Sequence, residues 1–157
     1  MRNVPKVPAF TGAAMTPTTI FAPFLAMMGL TFVVWLYMYI RRIRFIKGNN
    51  VNPRDLEKPG ELARISPPAI SNPSDNLKNL FELPVLFYAL VLYLWVTHQT
   101  DDIYVAAAWV FVIFRALHSV VHCTFNRVMA RFTLYIISAL TLWAMIGRAV
   151  LNYIAAT

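Results

Sequence analysis

A stripe of polar side chains runs along the sequence FRALHSVVHC, residues 114–123, inside an otherwise apolar stretch. Arg115, His118, Ser119 and His122 are spaced i, i+3, i+4 and i+7, so they lie on one face of a helix. Ionisable residues are rare within membrane helices, and they generally mark functional sites. The stripe therefore predicts one wall of a binding or catalytic pocket.

An arginine at this depth needs a partner, because exposing it to lipid costs about 2.5 kcal/mol or more. Glu82 is the only acidic residue within the apolar segments, and it enters the membrane from the same side at a similar depth. Asn79 lies one turn before Glu82 and shares its helical face. We predict that Glu82 and Arg115 approach each other, directly or through water. The alternative to a pocket is a structural ion pair that holds the helices together.

The two histidines of the stripe are four residues apart, a spacing that can bind a metal ion. Glu82 is a possible third ligand, but the remaining histidine, His98, is expected at the opposite face of the membrane. We therefore predict no metal site. Cys123 is the only cysteine, which excludes an internal disulfide bond and suggests a core position.

Four apolar segments must position these side chains. The sequence is 59% hydrophobic and 13% charged, whereas soluble domains carry about 25% charged residues. A spanning helix needs about 20 mostly apolar residues. The sequence thus predicts one domain, residues 1–157, that is all-α and forms an integral membrane four-helix bundle. We expect its helices at residues 19–40, 76–98, 103–126 and 130–154, with a polar, proline-rich loop at 41–75.

Basic residues are distributed unequally over the connections. The stretch 41–78 contains eight and the connection before the fourth helix contains Arg127 and Arg131, but the connection TDD contains none. Cytoplasmic loops are enriched in Lys and Arg, so we expect both termini on the non-cytoplasmic side. This bias explains the net charge of +7 without a nucleic-acid partner. The N-terminus lacks the pattern of a secretory signal, and we expect a multi-pass protein of a bacterial inner membrane.

The order of these features resembles that of the membrane-associated proteins in eicosanoid and glutathione metabolism (MAPEG). The motifs that carry the resemblance are NLFELP at 79–84, FRALHSVVH at 114–122, NPRD at 52–55 and the arginines that precede the fourth helix. The resemblance covers most of the chain. It implies a homotrimer that uses glutathione as thiol co-substrate and takes a lipophilic small molecule from the lipid bilayer.

The resemblance also implies roles for individual residues. Glutathione would lie between subunits near the cytoplasmic side, with arginines on its carboxylates. Arg127 or Arg131 would be catalytic, because a nearby cation lowers the pKa of a thiol and so favours the nucleophilic thiolate. The residues implied in glutathione binding are Arg41, Arg42, Arg44, Lys78, Asn79, Glu82, Arg115, His118 and His122.

Three positions depart from the pattern of the glutathione-using members. Asp75 replaces an arginine, and His122 replaces a tyrosine. Phe132 stands at about the position of a serine implicated in prostaglandin isomerisation, so that activity is not implied. The resemblance thus implies a glutathione-dependent transferase or peroxidase for lipophilic electrophiles. Asp75 favours an alternative, a non-catalytic protein of this fold that binds a lipid or a partner helix. A third alternative is an ion or proton pathway, although the apolar residues 105–113 interrupt the stripe.

Overall fold

The computed structural model describes residues 17–58 and 60–156, and its regular elements are all helical. Short 3-10 turns occur at Pro17–Ile20 and Pro53–Leu56. The described residues form α1 (Phe21–Gly48), α2 (Glu61–Ile65), α3 (Pro68–Leu80), α4 (Leu83–Val96), α5 (Asp102–Cys123) and α6 (Val128–Ala156). Four stretches are long and apolar enough to cross a membrane: α1, α3 together with α4, α5, and α6. The predicted all-α, four-span architecture is confirmed.

The second span is interrupted at Phe81 and Glu82. Pro84 explains the break, because it has no N–H to donate to the carbonyl of Leu80 and its ring clashes with that carbonyl. The backbone N–H of Phe81 instead donates to the carbonyl of Lys78 at 2.9 Å, which ends α3. Glu82 adopts φ −100° and ψ −102°, and its side chain is exposed at the break.

Two helices extend further into the long connection than the sequence predicted. α1 ends at Gly48 rather than at residue 40, so the arginines at 41, 42 and 44 lie on a helix. α3 begins at Pro68 rather than at residue 76, and Asn76 is buried in its interior. Proline is tolerated in the first turn of a helix. Pro68 therefore begins a helix in a stretch that its proline content had assigned to a loop.

The core is built around α5, the most deeply buried of the four spans, which packs mainly along α6. Phe87 of α4 and Phe111 of α5 stack with their ring centroids 4.6 Å apart. Met27 of α1 and Leu142 of α6 join the same fully buried cluster. Because such interiors are close-packed, the polar face of α5 is held in a fixed position relative to the other spans.

An ion pair joins α5 and α6 at the end of the bundle away from the stripe. Asp101 accepts a hydrogen bond from the backbone N–H of Tyr104 at 2.9 Å and so caps α5. Arg148 of α6 donates to both carboxylate oxygens of Asp101. Its guanidinium also lies over the ring of Tyr104, 4.2 Å from the centroid. These hydrogen bonds from Arg148 hold the pKa of the Asp101 carboxyl below its usual value.

Candidate functional site

A groove of about 580 Å³ opens where α3, α5 and the start of α6 meet, beside the break in the second span. Its volume lies within the usual range of small-molecule sites. We call it the polar groove. It is lined by Asn72, Asp75, Lys78, Asn79, Glu82, His118, His122, Asn126, Val128, Arg131, Phe132 and Tyr135.

Arg131 is held on one edge of its guanidinium only. Its Nη1 donates to Nε2 of His122 at 3.0 Å and to Oδ1 of Asn126 at 2.8 Å. Asn126 in turn donates from Nδ2 to Oδ1 of Asn72 at 3.2 Å, which links the start of α6 to α3. Asn126 has φ 44°, a left-handed conformation that asparagine tolerates better than most residues. No described residue hydrogen-bonds Nη2 or Nε of Arg131, so these donors are available to a ligand.

The bond from Arg131 determines the tautomer of His122. A guanidinium only donates, so Nε2 of His122 accepts and the ring proton resides on Nδ1. Nδ1 lies 3.4 Å from the side-chain amide of Asn79. The amide oxygen is the matching acceptor, since the two ends of an amide are interchangeable by rotation. His122 is therefore a neutral link between α3 and Arg131.

His118 occupies the floor of the polar groove and is almost completely buried. Its Nδ1 donates to the backbone carbonyl of Arg131 at 3.0 Å. Nε2 therefore carries the lone pair, and it has no hydrogen-bond partner in the part of the chain that the structure describes. The ring packs edge-on against His122, with 5.5 Å between centroids. Both histidines thus brace α5 against α6.

Arg115 is completely buried behind the groove wall. Its guanidinium lies between the rings of Phe111 and Tyr135, 5.5 and 4.8 Å from their centroids. Within residues 17–58 and 60–156, none of its three nitrogens makes a well-formed hydrogen bond and no ion pair joins it to Glu82, although the Tyr135 hydroxyl and the Glu82 carboxylate lie near enough to attract it. We predicted that the two side chains approach each other directly or through water; no direct contact is present among the described residues, and the approach through water stays a prediction. The break before Pro84 directs Glu82 outward into the groove instead.

The model of the MAPEG family matches residues 20–151 of the sequence. This chain belongs to the MAPEG family. The matched region contains all residues that line the polar groove and nearly all of the four spans. No curated protein and no solved structure matches the sequence significantly.

The polar groove brings together six of the site residues implied by the MAPEG resemblance. They are Lys78, Asn79, Glu82, His118, His122 and Arg131. Arg115 lies directly behind them, with its guanidinium against the rings of Phe111 and Tyr135. Nη1 of Arg131 bonds groove residues, whereas Arg127 is exposed and does not line the groove.

The arginines of α1 do not line the polar groove. Arg41 donates to the carbonyl of Ala69 at 3.3 Å, and Arg42 donates to Oγ of Ser74 at 3.4 Å. These two side chains brace α1 against the start of α3. Arg44 is exposed and makes no such contact among the described residues.

Several groove residues were missed by the sequence analysis. Asn72 fell in the predicted loop, and Asn126 comes at the end of the predicted third helix. Tyr135 follows Arg131 by four residues, and this spacing is a signal that would have placed both on one face of α6. A second polar cluster joins Asn76 to Ser119 at 3.4 Å and to Sγ of Cys123 at 3.5 Å. No three His, Cys, Asp or Glu side chains of the described ranges are grouped as metal ligands.

Proposed function

We propose that this protein is a membrane enzyme that binds glutathione in the polar groove and uses its thiolate to attack lipophilic electrophiles. The observation that carries the proposal is the convergence of Asn79, Glu82, His122 and Arg131 on one cavity of about 580 Å³. Membership of the MAPEG family supports it, since glutathione chemistry is what the motifs of helices two and three imply. The apolar side chain of Phe132 lines the same cavity and suits a substrate that arrives from the bilayer.

Arg131 is the proposed thiol activator in preference to Arg127. Arg131 lines the cavity, and its Nη2 and Nε have no described hydrogen-bond partners, so they can hydrogen-bond a sulfur anion. A cation that hydrogen-bonds the sulfur favours the thiolate and lowers the pKa of the bound thiol. Tyr135 lies one turn further along α6 and also lines the cavity, so its hydroxyl can donate to the same sulfur.

Glu82 and Asn79 are proposed to hold the polar part of glutathione. The exposed carboxylate of Glu82 has no salt-bridge partner among the described residues, so it can accept the ammonium group of the γ-glutamyl moiety. Lys78 also lines the groove and could meet a carboxylate of the ligand, but its Nζ is bound to Asp75 at 2.9 Å. Asp75 therefore weakens the carboxylate clamp, and we expect glutathione to bind less tightly than it would beside an unpaired lysine.

Two reactions follow from a thiolate at this position. In conjugation, the sulfur forms a bond to an electrophilic carbon and the leaving group departs with its electron pair. With a lipid hydroperoxide, the thiolate attacks the terminal oxygen, the O–O bond breaks and the lipid alcohol leaves. A second glutathione then converts the sulfenic acid to glutathione disulfide and water.

The test is to purify the protein in detergent, add glutathione, and follow conjugation of chlorodinitrobenzene and reduction of cumene hydroperoxide. Arg131→Gln should lower the rate at neutral pH about tenfold or more, because a neighbouring cation shifts a pKa by about 1–3 units. Arg127→Gln is the matched substitution and should have little effect. Equal losses in the two variants would refute the assignment to Arg131. Absence of both turnover and a glutathione-dependent thermal shift would refute the proposal.

A second candidate function is a non-catalytic MAPEG protein that binds a lipid or a partner helix. The pairing of Lys78 with Asp75 favours it, because the groove then offers less positive charge to an anionic tripeptide. This candidate predicts stabilisation by lipid and no turnover with any thiol. The same purified sample distinguishes the two functions.

A further inference from the structure

The reduction of a lipid hydroperoxide in the polar groove requires a proton donor as well as a thiolate. When the O–O bond breaks, the departing oxygen is an alkoxide, which is a strongly basic leaving group. A positioned acid that protonates such an oxygen in the transition state accelerates a reaction about 10²–10⁴-fold. Conjugation of chlorodinitrobenzene releases chloride, which needs no proton. A proton donor in the groove would therefore act in one of the two reactions only.

The histidines of the polar groove have no free proton for a leaving group. His118 donates the hydrogen on its Nδ1 to the backbone carbonyl of Arg131 at 3.0 Å, and its Nε2 carries a lone pair. His122 accepts from Arg131 at Nε2, and its own proton lies on the side of Asn79. Both rings are thus committed to holding the helices and Arg131 in place.

Tyr135 is the donor that remains. Lys78 is bound to Asp75 at 2.9 Å, and the exposed carboxylate of Glu82 is the proposed acceptor for the ammonium group of glutathione. Tyr135 lines the groove, and no described residue accepts a hydrogen bond from its hydroxyl. That hydroxyl is free to donate to a leaving oxygen.

Tyr135 also stands at a suitable distance from the proposed thiol activator. Arg131 and Tyr135 line the same cavity and are four residues apart, which is about one turn or about 6 Å along α6. A thiolate held by Arg131 can therefore face the terminal oxygen of a hydroperoxide while the leaving oxygen lies against the hydroxyl of Tyr135.

Arg115 supplies a buried positive charge directly behind Tyr135. Its guanidinium is completely buried and lies 4.8 Å from the centroid of the Tyr135 ring, near enough to the hydroxyl to attract it. Conjugation gives this cation no function, although its burial without a salt-bridge partner among the described residues is costly. A cation in a site that excludes water can stabilise the phenolate that forms when the hydroxyl gives up its proton.

We propose that Tyr135 is the general acid of hydroperoxide reduction and that Arg115 acts through it by stabilising its phenolate; this assignment rests on the proposed function. The thiolate forms an S–O bond to the terminal oxygen and is oxidised to the sulfenic acid. The O–O bond breaks, its electron pair goes to the leaving oxygen, and Tyr135 protonates that oxygen to give the lipid alcohol. The phenolate recovers, through water in the open groove, the proton that the thiol released on ionisation. A second glutathione consumes the sulfenic acid.

The test compares reduction of cumene hydroperoxide with conjugation of chlorodinitrobenzene in the detergent-purified full chain. Tyr135→Phe removes only the hydroxyl and should slow hydroperoxide reduction about 100-fold. Conjugation should slow about fivefold or less, because it loses at most one hydrogen bond to the sulfur. Tyr88→Phe is the matched control in α4, outside the groove, and should leave both rates unchanged.

Two further measurements separate proton donation from a structural effect. Arg115→Met should slow hydroperoxide reduction about tenfold relative to conjugation, and Arg115→Lys, which keeps the positive charge, should recover part of that loss. The ratio of hydroperoxide reduction to conjugation should fall in deuterium oxide for the wild type but not for Tyr135→Phe. A residue that only supports the fold would leave this isotope effect unchanged.

Three results would overturn the assignment. Equal losses of both activities in Tyr135→Phe would mean that the hydroxyl serves the sulfur alone. An unchanged ratio of the two rates in Arg115→Met would mean that Arg115 does not act on Tyr135. A wild-type ratio that is the same in water and in deuterium oxide would mean that no proton is transferred with O–O cleavage, and this measurement stands even if a variant fails to fold. Absence of conjugation by the wild type would instead refute the proposed function itself.

Discussion

Replacing Asn126 with aspartate adds a charge beside Arg131 with almost no change of shape. Oδ1 of Asn126 accepts from Nη1 of Arg131 at 2.8 Å, and an aspartate oxygen can accept the same bond. Aspartate also tolerates the φ of 44° found at this position. Asn72 can rotate its amide to donate to the new carboxylate. The position of Arg131 is therefore retained while its net charge is largely cancelled.

The added carboxylate is expected to raise the pKa of the bound glutathione thiol by about one unit. The new carboxylate and the thiolate lie about 7 Å apart, because a hydrogen bond, the width of the guanidinium and a second hydrogen bond to sulfur separate them. Coulomb's law then gives a repulsion of about 2 kcal/mol at an effective dielectric constant near 20. Solvent and salt in an open groove reduce it to about 1 kcal/mol, and about 1.4 kcal/mol corresponds to one pKa unit.

The assay follows the ultraviolet absorbance of the thiolate in the glutathione complex as a function of pH. Asn126→Gly is the matched control, because glycine adopts the same backbone angle and removes the hydrogen bond without adding a charge. We expect the lowest thiol pKa in the wild type, a small rise in the glycine variant and the largest rise in the aspartate variant. Turnover at a pH below these values should fall in the same order.

The reasoning is refuted if Asn126→Asp binds glutathione as tightly as the wild type and leaves the thiol pKa unchanged. In that case Arg131 does not stabilise the thiolate. Equal shifts in the aspartate and glycine variants would show instead that Asn126 acts by orienting Arg131 and that its charge environment contributes little.

Three further substitutions probe the elements around the groove. Asp101→Asn keeps the cap of α5 but removes the ion pair with Arg148, so the free energy of unfolding, measured by thermal denaturation, should fall by about 0.5–1 kcal/mol. Asp101→Ala also removes the cap, so the free energy of unfolding should fall by about 1 kcal/mol more. The folded-state pKa of Asp101 is lowered, so the contribution of the pair is present above the unfolded-state pKa and disappears as pH falls through the folded-state value. Wild-type stability should show this acid-side loss, and Asp101→Asn should not. Arg115→Met should be neutral or stabilising in chemical unfolding, because it removes a buried charge that has no salt-bridge partner among the described residues; a loss above about 3 kcal/mol would reveal a strong polar partner. Pro84→Ala should allow α3 and α4 to join, withdraw Glu82 from the groove and weaken glutathione binding in calorimetry, while unchanged affinity would contradict the role of the break.

The fold was predictable from the sequence because each span carries its own signal. Apolar length identified the four spans, and the i, i+3, i+4, i+7 spacing placed the stripe of α5 on one face. The boundaries of the second span were less predictable, since Pro68 and Pro84 have opposite effects. The first begins a helix in a region that composition assigned to a loop, and the second breaks a helix inside a continuous apolar run.

The site was only partly predictable because its contacts depend on how the helices are rotated and joined. Asn72 and Asn126 are 54 residues apart in sequence, and no local pattern indicates that they touch. Depth in the membrane, counted from the sequence, predicts that Glu82 and Arg115 lie at similar levels. It did not give the direction of Glu82, which the break in the second span determines.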